Sequence, residues 1–372
     1  MKVYGELSPQ TPGVFKLIVD HSIRWKTLDI ISTEQYTEIL NTARGRTPIL
    51  ESVYIHSTGM QLQKAPLKIL EDAPNLRSLH CVGIRSIVVN TNPWMNLVSF
   101  TSETSSDTIL PFLFSYAPNL QHLRIQATSF SEPGTPSSST NARNSQDASS
   151  SDKTFILPPR LVSLVIKGWH TSQYIRRLEA PSSLQRLSII QQGKEGLIQY
   201  SFTPVANFIE RAKCNLLSFG ISTEVLPIDV ESLHYLFSKL DSVTRLYVDL
   251  KTTSNYKAMM HQIPQMLDPI PDSSLSINPN VNGVALPSLQ VLYYSLIDSG
   301  VKSQHIIDMI KHRCKGQDDL NGVEITPGQC AKLKVVRFNK TNPKVLLEYL
   351  QEEIAKGLEV TYDLPYKGEP FE

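Results

Sequence analysis

Chemistry begins with side chains that carry a proton, a lone pair or a charge at a useful spacing, and this sequence offers few. His305, His312 and Cys314 crowd one segment, and His80 stands beside Cys81. A zinc site needs paired ligands that a turn or helix face can bring together, whereas His312-Arg313-Cys314 is a lone HxC step. The segment reads as a helix surface with ordinary histidines, and no metal is expected. Gly193-Lys194-Glu195-Gly196 is a plausible turn but a poor phosphate site, because no GxGxxG or GxxxxGKS/T run is present to wrap amides round a phosphate. A GxSxG elbow is missing too. With no nucleophile or acid–base constellation, the chain reads as a non-enzymatic protein without a cofactor.

The remaining chemistry is that of recognition. Tyr54, His80, His122, Arg124, Arg186, Arg245, Tyr247, Tyr293 and Arg337 recur at corresponding positions of a short repeated pattern. Tyr and Arg are the types enriched at binding hot spots. Acidic residues look scarce in that set, with Asp29 the clear one. An aromatic and basic stripe suits a protein partner, with an acidic or phosphorylated segment as the matching ligand. The alternative is a solvated polar face with no partner.

The stripe is positioned by a hexad of the form apolar, two variable, apolar, one variable, apolar. Clear copies start at Leu50, Leu76, Leu120, Leu161, Leu184, Val243, Leu289 and Leu333, with weaker ones at Trp25, Leu97 and Leu216. Starts at 25, 50, 76, 97 and 120 give steps of 25, 26, 21 and 23, within the roughly 20–29 residue period of leucine-rich repeats. The last four residues alternate, so each copy predicts a short strand with its apolar side chains on one face. By this register Cys81 points inward and is inert rather than reactive. A strand so short cannot bury its face alone, so the copies stack into one parallel sheet. The return segments carry helical patterns at 33–43, 62–72, 106–116, 205–213, 229–239, 304–313 and 344–355. Several are followed by Ala-Pro-Asn-Leu or a near relative, whose proline ends the helix.

The expected fold is therefore α/β: an irregular leucine-rich-repeat solenoid, or horseshoe, with parallel strands on the concave face and helices and loops on the convex face. The competing reading is an ordinary α/β domain with coincidental leucine spacing. Residues 1–24 are expected to cap the start, with Val14, Leu17 and Ile18 facing inward from a helix over 12–21. Residues 25–340 form the solenoid, and 341–372 close it with a helix, the strand 358–362 and a tail. The Ser/Thr-rich stretch 127–154 predicts a disordered insertion, and Thr135-Pro136 within it is a possible phosphorylation site. The proline-rich stretch 264–288 predicts an irregular loop.

Composition narrows the class further. Lys plus Arg is 36 and Asp plus Glu is 35, a net charge of +1, which argues against nucleic acid or a membrane surface as the partner. No apolar run is long enough to span a bilayer, and the N-terminus does not read as a signal peptide. Four scattered cysteines predict no disulfide framework. Cytosol or nucleus is the expected location.

The segment Phe15–Val19 followed by His21-Ser22-Ile23-Arg24-Trp25-Lys26-Thr27-Leu28-Asp29-Ile30 resembles the entry to the repeats of fungal F-box/leucine-rich-repeat proteins. So do Pro48-Ile49-Leu50-Glu51-Ser52, the Ala-Pro-Asn-Leu junctions, Pro93-Trp94 and Gly357-Leu358-Glu359-Val360. The resemblance spans nearly the whole chain through degenerate motifs. It implies substrate recognition for a ubiquitin ligase. Family members carry an F-box ahead of the repeats, and this sequence shows no candidate for one, so a ligase adaptor is implied only if an F-box lies upstream. The alternative is a ligase-independent leucine-rich-repeat interaction module.

Overall fold

Every hexad becomes a strand, and each strand starts at the hexad's third residue. The computed structural model describes residues 2–3, 12–32, 34–57, 67–83, 94–105, 110–127, 154–169, 171–192, 200–223, 228–250, 257–268, 285–295, 304–315, 330–339 and 343–362. It is an α/β structure that divides into two compact units, Met1–Ser183 and Leu184–Glu372.

In the first unit the strands are β1 (Lys2–Val3), β2 (Thr27–Ser32), β3 (Ser52–Ser57), β4 (Ser78–Val82), β5 (Ser99–Ser105), β6 (His122–Ala127), β7 (Phe155–Ile156), β8 (Ser163–Gly168) and β9 (Leu178–Glu179). The order β1-β2-β3-β4-β5-β6-β8 follows the chain, while β7 and β9 form a separate pair. Its helices are α1 (Pro12–Asp20), α2 (Glu34–Asn41), α3 (Leu110–Tyr116) and α4 (Thr171–Arg176). The second unit has β10 (Arg186–Gln191), β11 (Ser218–Thr223), β12 (Arg245–Leu250), β13 (Val291–Ser295), β14 (Val335–Asn339) and β15 (Glu359–Thr361), adjacent in that order. Its helices are α5 (Thr203–Ala212), α6 (Val230–Phe237), α7 (Lys257–Leu267), α8 (Gln304–Cys314), α9 (Pro343–Tyr349) and α10 (Gln351–Ala355). Neighbouring strands within each unit pair in parallel, so each strand needs a returning segment before the next.

The first, fourth and sixth hexad residues build the core. None of them, from Trp25, Leu28 and Ile30 to Leu333, Val336 and Phe338, exceeds 4% exposure. They align across strands: Leu28, Val53, Leu79, Phe100, Leu123 and Leu164 form one row, and Leu187, Phe219, Leu246, Leu292 and Val336 form its counterpart. The weak copy at Leu97 puts Ser102 in an apolar slot, where it is buried like its neighbours.

The lead-in to each strand is a β-turn. The amide of the leading residue donates back three residues, as in Leu50 to Thr47, Leu76 to Ala73, Leu97 to Trp94, Leu120 to Ala117, Val243 to Leu240 and Leu289 to Leu286. Pro48, Pro74, Pro118 and Pro287 thus occupy the second turn position, where a φ near −65° is already set. The residue before the leading leucine then reaches back one repeat. Asn75 Nδ2 donates to Pro48 O at 2.7 Å, Asn96 to Pro74 O at 2.9 Å and Asn119 to Met95 O at 2.7 Å. Ser183 Oγ makes the same step to Pro159 O at 2.8 Å, and Ser242 Oγ reaches Leu216 O at 3.0 Å.

Several sequence expectations change. In α1 the buried residues are Phe15 and Val19, one turn apart, whereas Val14 and Leu17 are 54% and 64% exposed; the inward stripe lies one residue on from the expected one. Of the helix expected over 62–72, residues 69–72 form turns and 62–66 lie outside the described residues. The C-terminal helix is two short ones with a break at Leu350. Helices α4 and α7 and strand β1 stand where the sequence pattern predicts no regular element, and α7 continues through Pro264 to Leu267, inside the stretch expected to be irregular. Ala127 belongs to β6 and Thr154 is described; residues 128–153 of the Ser/Thr-rich insertion, with Thr135, lie outside the described residues, as does 269–284.

Arg313 organises the margins of that second stretch. It is 2% exposed, and its guanidinium donates to Leu267 O at 2.6 Å, Ala285 O at 2.6 Å and Leu286 O at 3.1 Å. Burial lowers its pKa, yet guanidinium stays protonated, and carbonyls on both sides of 269–284 replace its water.

Two glycines show how tight the parallel packing is. Gly168 has φ +141°, and a Cβ there would overlap the carbonyl of Ala127 on β6. Gly83 has φ +75° with Ser57 O 2.6 Å from the Cβ position. Gly168→Ala is expected to cost about 3 kcal/mol, from a strained φ plus a backbone displacement. Asn119→Ala should cost only about 1 kcal/mol, one partly solvated hydrogen bond. Thermal or urea unfolding of the two variants checks both the order and the gap.

Candidate functional site

Alternation puts the third and fifth hexad residues on the face opposite the apolar rows. In the first unit the fifth-position row reads Asp29, Tyr54, His80, Thr101, Arg124 and Val165, and the third-position row reads Thr27, Ser52, Ser78, Ser99, His122 and Ser163. In the second unit the corresponding rows are Ser188, Gly220, Tyr247, Tyr293, Arg337 and Thr361, and Arg186, Ser218, Arg245, Val291, Val335 and Glu359. All nine stripe residues expected from sequence lie on this polar face, but in two sets: Tyr54, His80, His122 and Arg124 in the first unit, and Arg186, Arg245, Tyr247, Tyr293 and Arg337 in the second.

Tyr54 and His80, on neighbouring strands, bring their rings to 4.5 Å. Arg124 lies 3.9 Å from Glu103, with side chains 14% and 31% exposed. Glu103 enters because the register between β5 and β6 shifts between Ser102 and Ser105; such a bulge cannot be read from a regular hexad. His80 has its pKa lowered, chiefly by burial; the Glu103 carboxylate opposes this, and the charges of Arg124 and His56 add to it. His80 is thus an uncharged imidazole at neutral pH.

In the second unit Tyr247 and Tyr293 stand 6.2 Å apart, and the Arg337 guanidinium lies 5.1 Å over the Tyr293 ring. Tyr247 is only 3% exposed, so it is not the solvent-facing contact residue expected from sequence. Arg245 is exposed and Arg186 half-buried; they flank Ser218 in one row, two strand spacings or roughly 10 Å apart. The expected scarcity of acids on this face also needs correction: Glu103, Asp249 and Glu359 join Asp29. Asp249 sits two residues beyond Tyr247 on the same strand, where continued alternation would have found it.

The segment around His312 has structural partners. His312 Nδ1 lies 2.9 and 3.0 Å from the two carboxylate oxygens of Asp268, and Cys314 Sγ donates to Leu333 O at 3.7 Å. Among the described residues no group of three or more His, Cys, Asp or Glu is arranged to hold a metal, and no helix is long and apolar enough to cross a membrane. Burial pushes the Cys81 and Cys314 thiols each up to about 12. No protein-family model matches the chain, and no curated protein matches it.

Two measurements test these electrostatics. The native protein at pH 8 should leave Cys81 and Cys314 unlabelled by iodoacetamide, while the urea-unfolded chain labels both; rapid native labelling would show that the register is wrong. An NMR titration should place His80 below the ordinary value of about 6.5, and Glu103→Gln should lower it further by removing the one raising charge. Since the unfolded imidazole takes up its proton first, His80 supports the fold above about pH 6.5 and this contribution is lost as pH falls.

Proposed function

We propose that this chain is a non-enzymatic protein-recognition scaffold, an irregular leucine-rich-repeat horseshoe similar in role to the substrate-binding part of an F-box protein. The observation that carries the reading is the entry row of the second unit. Arg186 and Arg245 stand on one polar sheet face on either side of Ser218. Two arginines on strands two spacings, or roughly 10 Å, apart suit acidic or phosphorylated side chains on the partner. The solenoid reading is supported by sheet neighbours that follow chain order in each unit and by the side-chain ladder joining successive turns. Cytosol or nucleus suits a protein whose four thiols are all free.

The test is affinity capture with the intact chain and with the double variant Arg186→Glu, Arg245→Glu. Neither side chain is part of the core, so the unfolding temperature should change little. Capture of the principal partner should fall by about 100-fold, because two charge-assisted hydrogen bonds give way to two like-charge repulsions. Equal capture by both proteins would sink the reading. A ligase adaptor in the captured set would assign the chain to ubiquitin transfer, and its absence to a ligase-independent module.

A further inference from the structure

On the same face of the second unit, beyond the tyrosine row, Ser222, Asp249 and Ser295 lie side by side on β11, β12 and β13. They are 5%, 4% and 2% exposed. A carboxylate that has lost its water needs donors or a counter-charge. Asp249 has one contact, from Ser222 Oγ to Oδ2 at 3.4 Å, and no cation stands against it among the described residues. The hydroxyl of Ser295, on the strand at the other side, is buried with no hydrogen-bond partner among the described residues. Two positions back along the same strands, the Tyr247 and Tyr293 rings stand 6.2 Å apart. The nearby cation, Arg337, is spent on the Tyr293 ring.

These groups share one complement. An under-bonded carboxylate asks for a positive donor, and an orphan hydroxyl oxygen accepts a second hydrogen. A primary ammonium carries three donors and one charge on a tip narrow enough for a closed site, whereas a guanidinium is broad and planar. We infer that Asp249 and Ser295 bind the ammonium of a lysine on the protein partner. This rests on the scaffold reading and refines it. Arg245 and Asp249 are four residues apart on one strand, about 13 Å, so a partner segment running along β12 presents an acidic residue and, four positions on, a lysine.

The test uses the full-length chain and the peptide acetyl-Glu-Thr-Val-Thr-Lys-amide, followed by NMR shifts of the residues round Asp249. The peptide should bind, and acetylating its lysine or introducing Asp249→Asn should each weaken binding tenfold or more. Ser295→Ala should weaken it severalfold. Asp249→Asn removes a charge with no counter-ion among the described residues, so its unfolding temperature should hold or rise. Four outcomes overturn the inference: no shift at millimolar peptide, equal binding of the acetylated peptide, a sharp fall in the stability of Asp249→Asn (a counter-ion within the chain), or n-butylamine binding as tightly as the peptide, which assigns the site to free amines. Each leaves the Arg186 and Arg245 capture result standing, so the two readings fail separately.

Discussion

At the mouth of most strands a single carbonyl accepts two amides from the following hexad. Lys26 O takes the N–H groups of Glu51 and Ser52, Glu51 O takes those of Arg77 and Ser78, and Arg77 O takes those of Val98 and Ser99. In the second unit Gln185 O, Leu217 O, Thr244 O and Gln290 O do the same for the next pair in line. The contact sets where each strand begins relative to its neighbour. A slip of one residue would turn every Leu, Ile and Val of a strand to the polar side and every Arg and Tyr into the core. The β-turn before it and the Asn or Ser side chain that bridges to the previous turn hold the chain at that phase.

Once the phase is set, surface chemistry follows by arithmetic. Residues at equal hexad positions become neighbours one strand spacing apart although some 25 residues or more separate them in sequence. Tyr54 meets His80 and Tyr247 meets Tyr293 for this reason alone. Substitution at the polar positions leaves the buried rows untouched, so such a face can vary without disturbing the fold. The same geometry gathers Ser222, Asp249 and Ser295 into one buried row.

Much of the α/β framework is legible because hexad and strand share a period of two. All eleven hexads open strands at the same internal position, and helices fall in most of the expected return segments. What escapes the pattern is local or long-range. The α1 stripe resists reading because Val14, Phe15, Leu17, Ile18 and Val19 are all apolar, and composition cannot choose which of them turns inward. Glu103 is hidden because a bulge breaks the period. Arg313 looks like one more basic residue at a helix end until the carbonyls of Leu267, Ala285 and Leu286 are found around it.

On the strands the sequence by itself determined which side chains face the core and which the opposite face, because alternation on a strand is a property of the backbone and needs no knowledge of what lies opposite. Tertiary structure decided how exposed each face residue is and which charges meet. Tyr247 and Arg245 occupy equivalent outward positions, yet one is 3% exposed and the other is open to solvent. Tyr247 meets the Tyr293 ring on the next strand at 6.2 Å, a neighbour far along the chain that no local pattern reveals.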